Sequence, residues 1–291
     1  VLVNKYRGMK MKNGVLIVMC VLTSWIFTAC SSGSTDAAAN QDTVEKVPPH
    51  LQIEAVPASP KFPDAKIAIA TVQASMDADD SVKVEFNFSV KGYELSVQTD
   101  DAADKGCNNA TKGQHIHFIM DNKPYTALYE PKHSVRVAKN SDHYVLVFLS
   151  RSYHESIKEK KAAQLYHFKI DKKGNLSQLD PSKKPMLFYS RPKGEYVGAD
   201  MEKVLLDFYV VNASIHPDSM KVKVNIVNQG KKVKRDTSFT ATTWEPLFVK
   251  NLRPGKATIT ISLLDRKDKK LSGLHTSVSR EITLKKATDT K

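Results

Sequence analysis

Two histidines separated by one residue are the first groups in this chain whose types and spacing could do chemistry. His115 and His117 lie in Gln114-His-Ile-His-Phe-Ile-Met120, an apolar run that reads as a β-strand. Side chains two apart on a strand point to one face, so the two imidazoles can address a single ion. Neutral imidazole is a common ligand for zinc and copper. His143 opens a later apolar strand and His154 starts a short helix after it, so either can supply a further ligand, while Asp121 shares the face of the pair. The expected cofactor is therefore Cu or Zn on His115, His117, His143 and His154. The same pattern also suits a half-exposed strand whose histidines only form hydrogen bonds, since a His-x-His without a fixed third ligand is a weak motif.

A second set of groups suits anions. Arg151 lies in Ser150-Arg-Ser152, and Arg191 lies in Ser190-Arg-Pro192 with Lys193 beside it. The guanidinium fork matches phosphate or carboxylate, so Arg151, Arg191 and Lys193 are candidate anion contacts. Ser152 also fits a helix cap, and Arg191 a solvated linker position. Cys107, in a polar run, reads as an ordinary loop thiol. The chain has no Gly-x-Ser-x-Gly elbow, no phosphate-cradling glycine loop, no His-Glu-x-x-His and no Cys-x-x-Cys. Binding is therefore expected, and catalysis is not.

The N-terminus carries Lys5, Arg7, Lys10 and Lys12, then an apolar stretch from Gly14 to Phe27, then Thr28-Ala-Cys30. A basic segment, a short apolar segment and small residues are the parts of an export signal. Phe27-Thr-Ala-Cys30 resembles a bacterial lipobox, which implies a signal peptide over 1–29 and a lipid on Cys30 holding the chain to a membrane. The expected location is the cell envelope, on the outer membrane. The periplasmic face is favoured, because Ser31-Ser-Gly-Ser-Thr-Asp36 lacks an acidic cluster.

Charge is placed unevenly. Residues 30–180 carry 18 Lys/Arg against 20 Asp/Glu, whereas residues 181–291 carry 22 against 11. Lysines cluster at Lys231, Lys232, Lys234 and Arg235, and again at Arg266, Lys267, Lys269 and Lys270. Such a field attracts anionic partners. For an exported chain these are a glycan, a lipid headgroup or a phosphopeptide, and not nucleic acid.

These groups must be positioned by strands. Residues 30–65 are rich in Ser, Ala, Asp and Pro and read as a flexible tether. From Lys66 the chain shows short alternating runs, such as Val82 to Val90, separated by turn residues. Ser152-Tyr-His-Glu155 has capping-box spacing, which predicts a short helix over 153–162, and 98–113 reads as a long loop. Prolines mark a linker over 181–199. Three strands of the first half match three of the second: Val84–Val90 with Leu205–Val211, Ile116–Asn122 with Val222–Asn228, and Tyr144–Arg151 with Ala257–Arg266. The expected fold is mainly β, with two tandem immunoglobulin-like β-sandwich domains, 66–180 and 200–287, and one short helix in the first.

The segments Gly113–Tyr125, Leu149–Ser156, Phe188–Gly194 and Gly198–Tyr209 resemble an uncharacterised Bacteroidetes-type family of two-domain lipoproteins, sometimes labelled phosphopeptide-binding. The likeness spans roughly 66–287 and implies no established site residues. The combined reading is a lipid-anchored envelope protein for binding or adhesion through an anionic ligand. The alternative is a periplasmic Cu/Zn-binding protein using the His-x-His strand.

Overall fold

The computed structural model describes residues 50–77, 79–230 and 234–289. The expected signal segment, Cys30 and the lysines at 231 and 232 lie outside these residues. Residues 48–291 form one compact unit. No helix among the described residues is long and apolar enough to cross a membrane.

Among the described residues, seventeen strands form four sheets. The first sandwich packs β2 (Lys66–Met76), β3 (Val82–Lys91) and β6 (Lys132–Val137), in that order, against a second sheet. That sheet runs β5 (Thr126–Leu128), β4 (His115–Met120), β7 (Ser141–Ser150), β8 (Ala163–Ile170) and β9 (Leu176–Leu179). The second sandwich has one sheet of β1 (Gln52–Ala55), β15 (Leu247–Lys250), β12 (Val204–Val211) and β10 (Met186–Arg191). Its other sheet is β11 (Gly194–Val197), β17 (Ser277–Lys285), β16 (Gly255–Leu264), β13 (Lys221–Gly230) and β14 (Lys234–Ala241). These orders split consecutive strands between two sheets, as immunoglobulin-like sandwiches do. The three strand pairs matched between the halves, β3/β12, β4/β13 and β7/β16, take equivalent places in the two sandwiches.

Period-two alternation explains each core. Val84, Phe86 and Phe88 of β3 meet Ile116, Phe118, Val145, Val147 and Leu149 inside the first sandwich. Leu206, Phe208, Val224, Ile226, Ile259 and Ile261 fill the second. The other faces of β4, β7, β10 and β12 are also covered, because the sandwiches pack on each other there. Ile119, Leu146 and Phe148 meet Met186, Phe188 and Tyr209 in a third core. Strands buried on both faces become nearly continuous apolar runs, as in Val145–Leu149 and Met186–Tyr189.

Three expectations are corrected. Residues 52–55 of the expected tether form β1, which closes the edge of the second sandwich by antiparallel pairing with β15. The expected linker over 181–199 holds β10 and β11, the former buried throughout, because Met186–Tyr189 supplies apolar groups to two cores. The capped helix over 153–162 does not form. Thr99 takes the Ser152 hydroxyl, Tyr153 and Ile157 are buried, and the chain folds back with Arg151 N–H donating to Glu155 O at 2.9 Å. Tertiary contacts outweigh local propensity there, leaving a 3₁₀ turn at Lys160–Ala162. The first sandwich instead carries its helix, α1 (Ala102–Lys105), inside the expected loop 98–113.

Candidate metal centre

His115 and His117 project from the outer face of β4 into the junction with the second sandwich, where both are fully buried. His154 arrives from the turn after β7, its φ of 69° held by the tight reversal from Arg151 to Glu155. The Nε2 atoms of His115 and His117 are 3.0 Å apart, and His154 Nδ1 lies 3.1 Å from His115 Nε2. One ligand atom from each histidine falls within 4.8 Å of the others. A tetrahedron with metal–nitrogen bonds of about 2.0–2.1 Å has edges of about 3.3 Å. The two close pairs thus need to part by only a few tenths of an ångström to hold an ion, and the third pair lies within 4.8 Å.

The far sides of the rings are fixed. His115 Nδ1 lies 2.8 Å from the Gly113 carbonyl, which can only accept, so Nδ1 carries the proton and Nε2 presents its lone pair inward. Gly113 has φ 83°, and a Cβ there would lie 2.3 Å from the Val97 carbonyl oxygen, so glycine sets the position of that carbonyl. His117 Nδ1 is 3.1 Å from Ser190 Oγ of β10. Backbone and hydroxyl partners on the outer nitrogen are how metal-ligating imidazoles are commonly oriented. Tyr125 stacks on His117 with ring centroids 3.6 Å apart, and its hydroxyl lies 3.2 Å from His154 Nδ1.

Burial keeps these imidazoles neutral. His115 is pushed down to about 4, and His117 and His154 fall well below the usual histidine range; burial is the first cause, with the field of Arg191 and Lys193 adding to it. Neutral imidazole is the form that binds a metal. Burial also raises the Tyr125 phenol well above its usual range.

The junction is closed by a turn. Asp121 and Asn122 have φ of 52° and 55°, and Lys123 N–H donates to Met120 O at 2.9 Å, a reversal that Asp and Asn tolerate. Asn122 then reaches the second sandwich. Its Nδ2 donates to Leu187 O at 2.7 Å, and its Oδ1 accepts from Tyr189 N at 2.9 Å.

The structure therefore brings together three of the four expected histidines. His143 does not join them. It lies toward the other end of β7, where its Nδ1 is 2.7 Å from Asp121 Oδ2 and its Nε2 is 2.8 Å from Ser141 Oγ. Its parity on β7 matches that of Val145 and Val147, which face the sandwich core. Asp121 is occupied by that pairing and does not orient the triad. Of the expected anion contacts, Arg151 pairs with Glu155 at 3.1 Å and with the Pro60 carbonyl, apart from the other two. Arg191 and Lys193 both meet the Tyr125 ring, with the Arg191 guanidinium carbon 5.5 Å and Lys193 Nζ 4.1 Å from its centroid. Cys107 is a half-buried free thiol, pushed up to about 11 chiefly by burial. Sequence reading missed Tyr125, Ser190 and the Gly113 carbonyl. All three lie in the segments that carry the family resemblance, but spacing along the chain cannot show which strand of the second half meets β4.

No protein-family model and no curated protein matches the chain. Among solved structures, it is similar to the fibronectin(III)-like modules of Clostridium thermocellum CbhA, at 11% identity and a TM-score of 0.26, covering 82% of this chain and 95% of that one. It is also similar to the chicken interferon gamma receptor alpha chain, at 8% identity and a TM-score of 0.24, covering 76% and 98%. A third similarity is to the two tandem V-type regions of the chitin-binding protein VCBP3, at 7% identity and a TM-score of 0.23, covering 76% and 99%. The fold assignment rests on the strand order of the chain itself.

Proposed function

We propose that this chain is a cell-envelope metal-binding protein that holds one Cu or Zn ion between its two sandwiches, on His115, His117 and His154. The observation that carries the reading is the convergence of three buried ring nitrogens, two pairs of them 3.0 and 3.1 Å apart, with the His115 proton directed outward. An all-imidazole set suits both metals and leaves a coordination position open. The lipobox-like segment ending at Cys30 supports a membrane anchor for this centre. The test is metal content and titration of the purified, chelator-treated chain beside a His115→Ala, His117→Ala variant. Stoichiometric binding lost in the variant supports the reading, and equal binding in both rejects it.

A second reading, adhesion through an anionic envelope ligand, has one observation in its favour. Arg266, Lys267, Lys269 and Lys270 are exposed together at the turn after β16. Binding of vesicles or acidic glycans there should weaken as salt rises, since surface charges are screened. Metal binding at the triad should depend on salt far less.

A further inference from the structure

We propose that a groove on the first sandwich binds an acidic glycan, its carboxylated sugars held by Lys66, Lys91, Lys160 and Lys161. This site is independent of the metal reading and distinct from the basic turn after β16. The four lysines are exposed around a depression of about 630 Å³. Lys66 and Lys91 lie directly opposite each other on β2 and β3, and Lys160 and Lys161 come from the 3₁₀ turn before β8. No acidic side chain lines the depression. None of the four lysines has a carboxylate within ion-pair distance among the described residues. Like charges directly opposite on neighbouring strands destabilise a sheet. Acids outnumber bases over residues 30–180, so the cluster does not follow from an overall basic composition. A bound polyanion offsets its repulsion.

The lining favours a sugar chain. Ile67, Ala68 and Ala163 give the depression apolar surface, and Gln164 adds an amide. Lys160, Ala163 and Gln164 also line a second depression of about 290 Å³, so the two adjoin. There Tyr209 and Trp244 supply aromatic surface. Sugars present apolar C–H faces to such rings, and their hydroxyls and carboxylates accept from amide and ammonium groups. An acidic peptide adding as a strand to the edge of β2 fits less well. Gln164 Oε1 already accepts from Ile69 N at 2.6 Å, and the register of β2 shifts between Ile69 and Thr71. A flat anionic membrane meets exposed turn residues such as Lys267 and Lys269 more readily than a recess.

The test is equilibrium binding of oligogalacturonate to the purified, chelator-treated full chain at about 50 and about 300 mM salt. Its neutral methyl ester, polyglutamate and anionic vesicles run alongside. The expected result is saturable binding of the oligogalacturonate, weaker at the higher salt, with little binding of the ester or polyglutamate. The double variants Lys66→Gln, Lys91→Gln and Lys160→Gln, Lys161→Gln should each weaken it roughly fivefold or more. All four side chains are exposed, so these variants should keep the fold. Lys267→Gln, Lys269→Gln, which lies outside the groove lining, should stay within about twofold of wild type. No binding of the oligogalacturonate, equal binding of its methyl ester or of polyglutamate, or unchanged affinity in both groove variants overturns the proposal. Vesicle binding that is lost in the groove variants overturns it in favour of a lipid surface. Each of these outcomes leaves the metal centre standing, since no metal is present.

Discussion

The Nε2 atoms of His115 and His117 face each other at 3.0 Å, and on His115 that atom has no proton to give. Either His117 donates its own Nε2 proton across the gap, or a cation sits between them. The first state leaves the triad as a hydrogen-bonded junction. The second makes it a metal site, and in both the Gly113 carbonyl keeps the His115 lone pair inward.

His154 and His143 should behave oppositely. His154→Ala removes a converging nitrogen and is expected to weaken Zn or Cu binding by one to two orders of magnitude or more. His143→Ala, which breaks the contacts with Asp121 and Ser141 away from the triad, should leave affinity within about twofold of wild type. Competition titration against a chromophoric chelator reads both. A loss confined to His143→Ala would move the site elsewhere.

Acid should destabilise the metal-free chain. An unfolded histidine titrates near 6.5, whereas folded His115 is pushed down to about 4. Between those values the unfolded state holds more protons, so stability is complete above pH 6.5 and falls as pH drops toward 4. His115 alone contributes roughly 3 kcal/mol across that window, and His117 and His154 act in the same direction. Denaturation midpoints at pH 7.5, 6 and 5 should decline in sequence, and a flat profile would contradict the burial of the triad.

Asn122 joins the sandwiches through two backbone hydrogen bonds. Asn122→Gly tolerates the left-handed φ, so it isolates the lost bonds, and it should lower unfolding free energy by about 2–4 kcal/mol. Urea denaturation checks this. A loss below about 0.5 kcal/mol would mean that the apolar contacts alone hold the junction.

Cys107 should be a poor nucleophile, since the thiolate is the reactive form and burial pushes its pKa to about 11. Alkylation of the native chain at pH 8 is expected to be far slower than that of the denatured chain. Equal rates would contradict this environment.

Much of the fold was legible in the sequence, because alternation in β3 and β13 directly encodes a half-buried strand. What could not be read was the packing of one sandwich on the other. The run Val145–Leu149 is apolar at every position, which signals burial on both faces but does not name the covering sheet. That covering sheet is the one holding β12 and β10, and the prolines on either side of β10, Pro185 and Pro192, read locally as a linker. For the same reason His115 and His117 were recognisable as a pair, whereas Ser190 and Arg191 reach them only through the fold. His154 was placed in a helix by Ser152 and Glu155. In the structure Ser152 bonds Thr99, and Glu155 pairs with Arg151 and accepts from Ser59.

The most direct test of the central claim is the number of Zn or Cu ions bound per chain, by metal analysis after equilibrium titration of the chelator-treated protein, with His115→Ala, His117→Ala alongside. The account predicts one ion per wild-type chain and none held tightly by the double variant. One ion retained by the variant, or none bound by the wild type at micromolar metal, would contradict it.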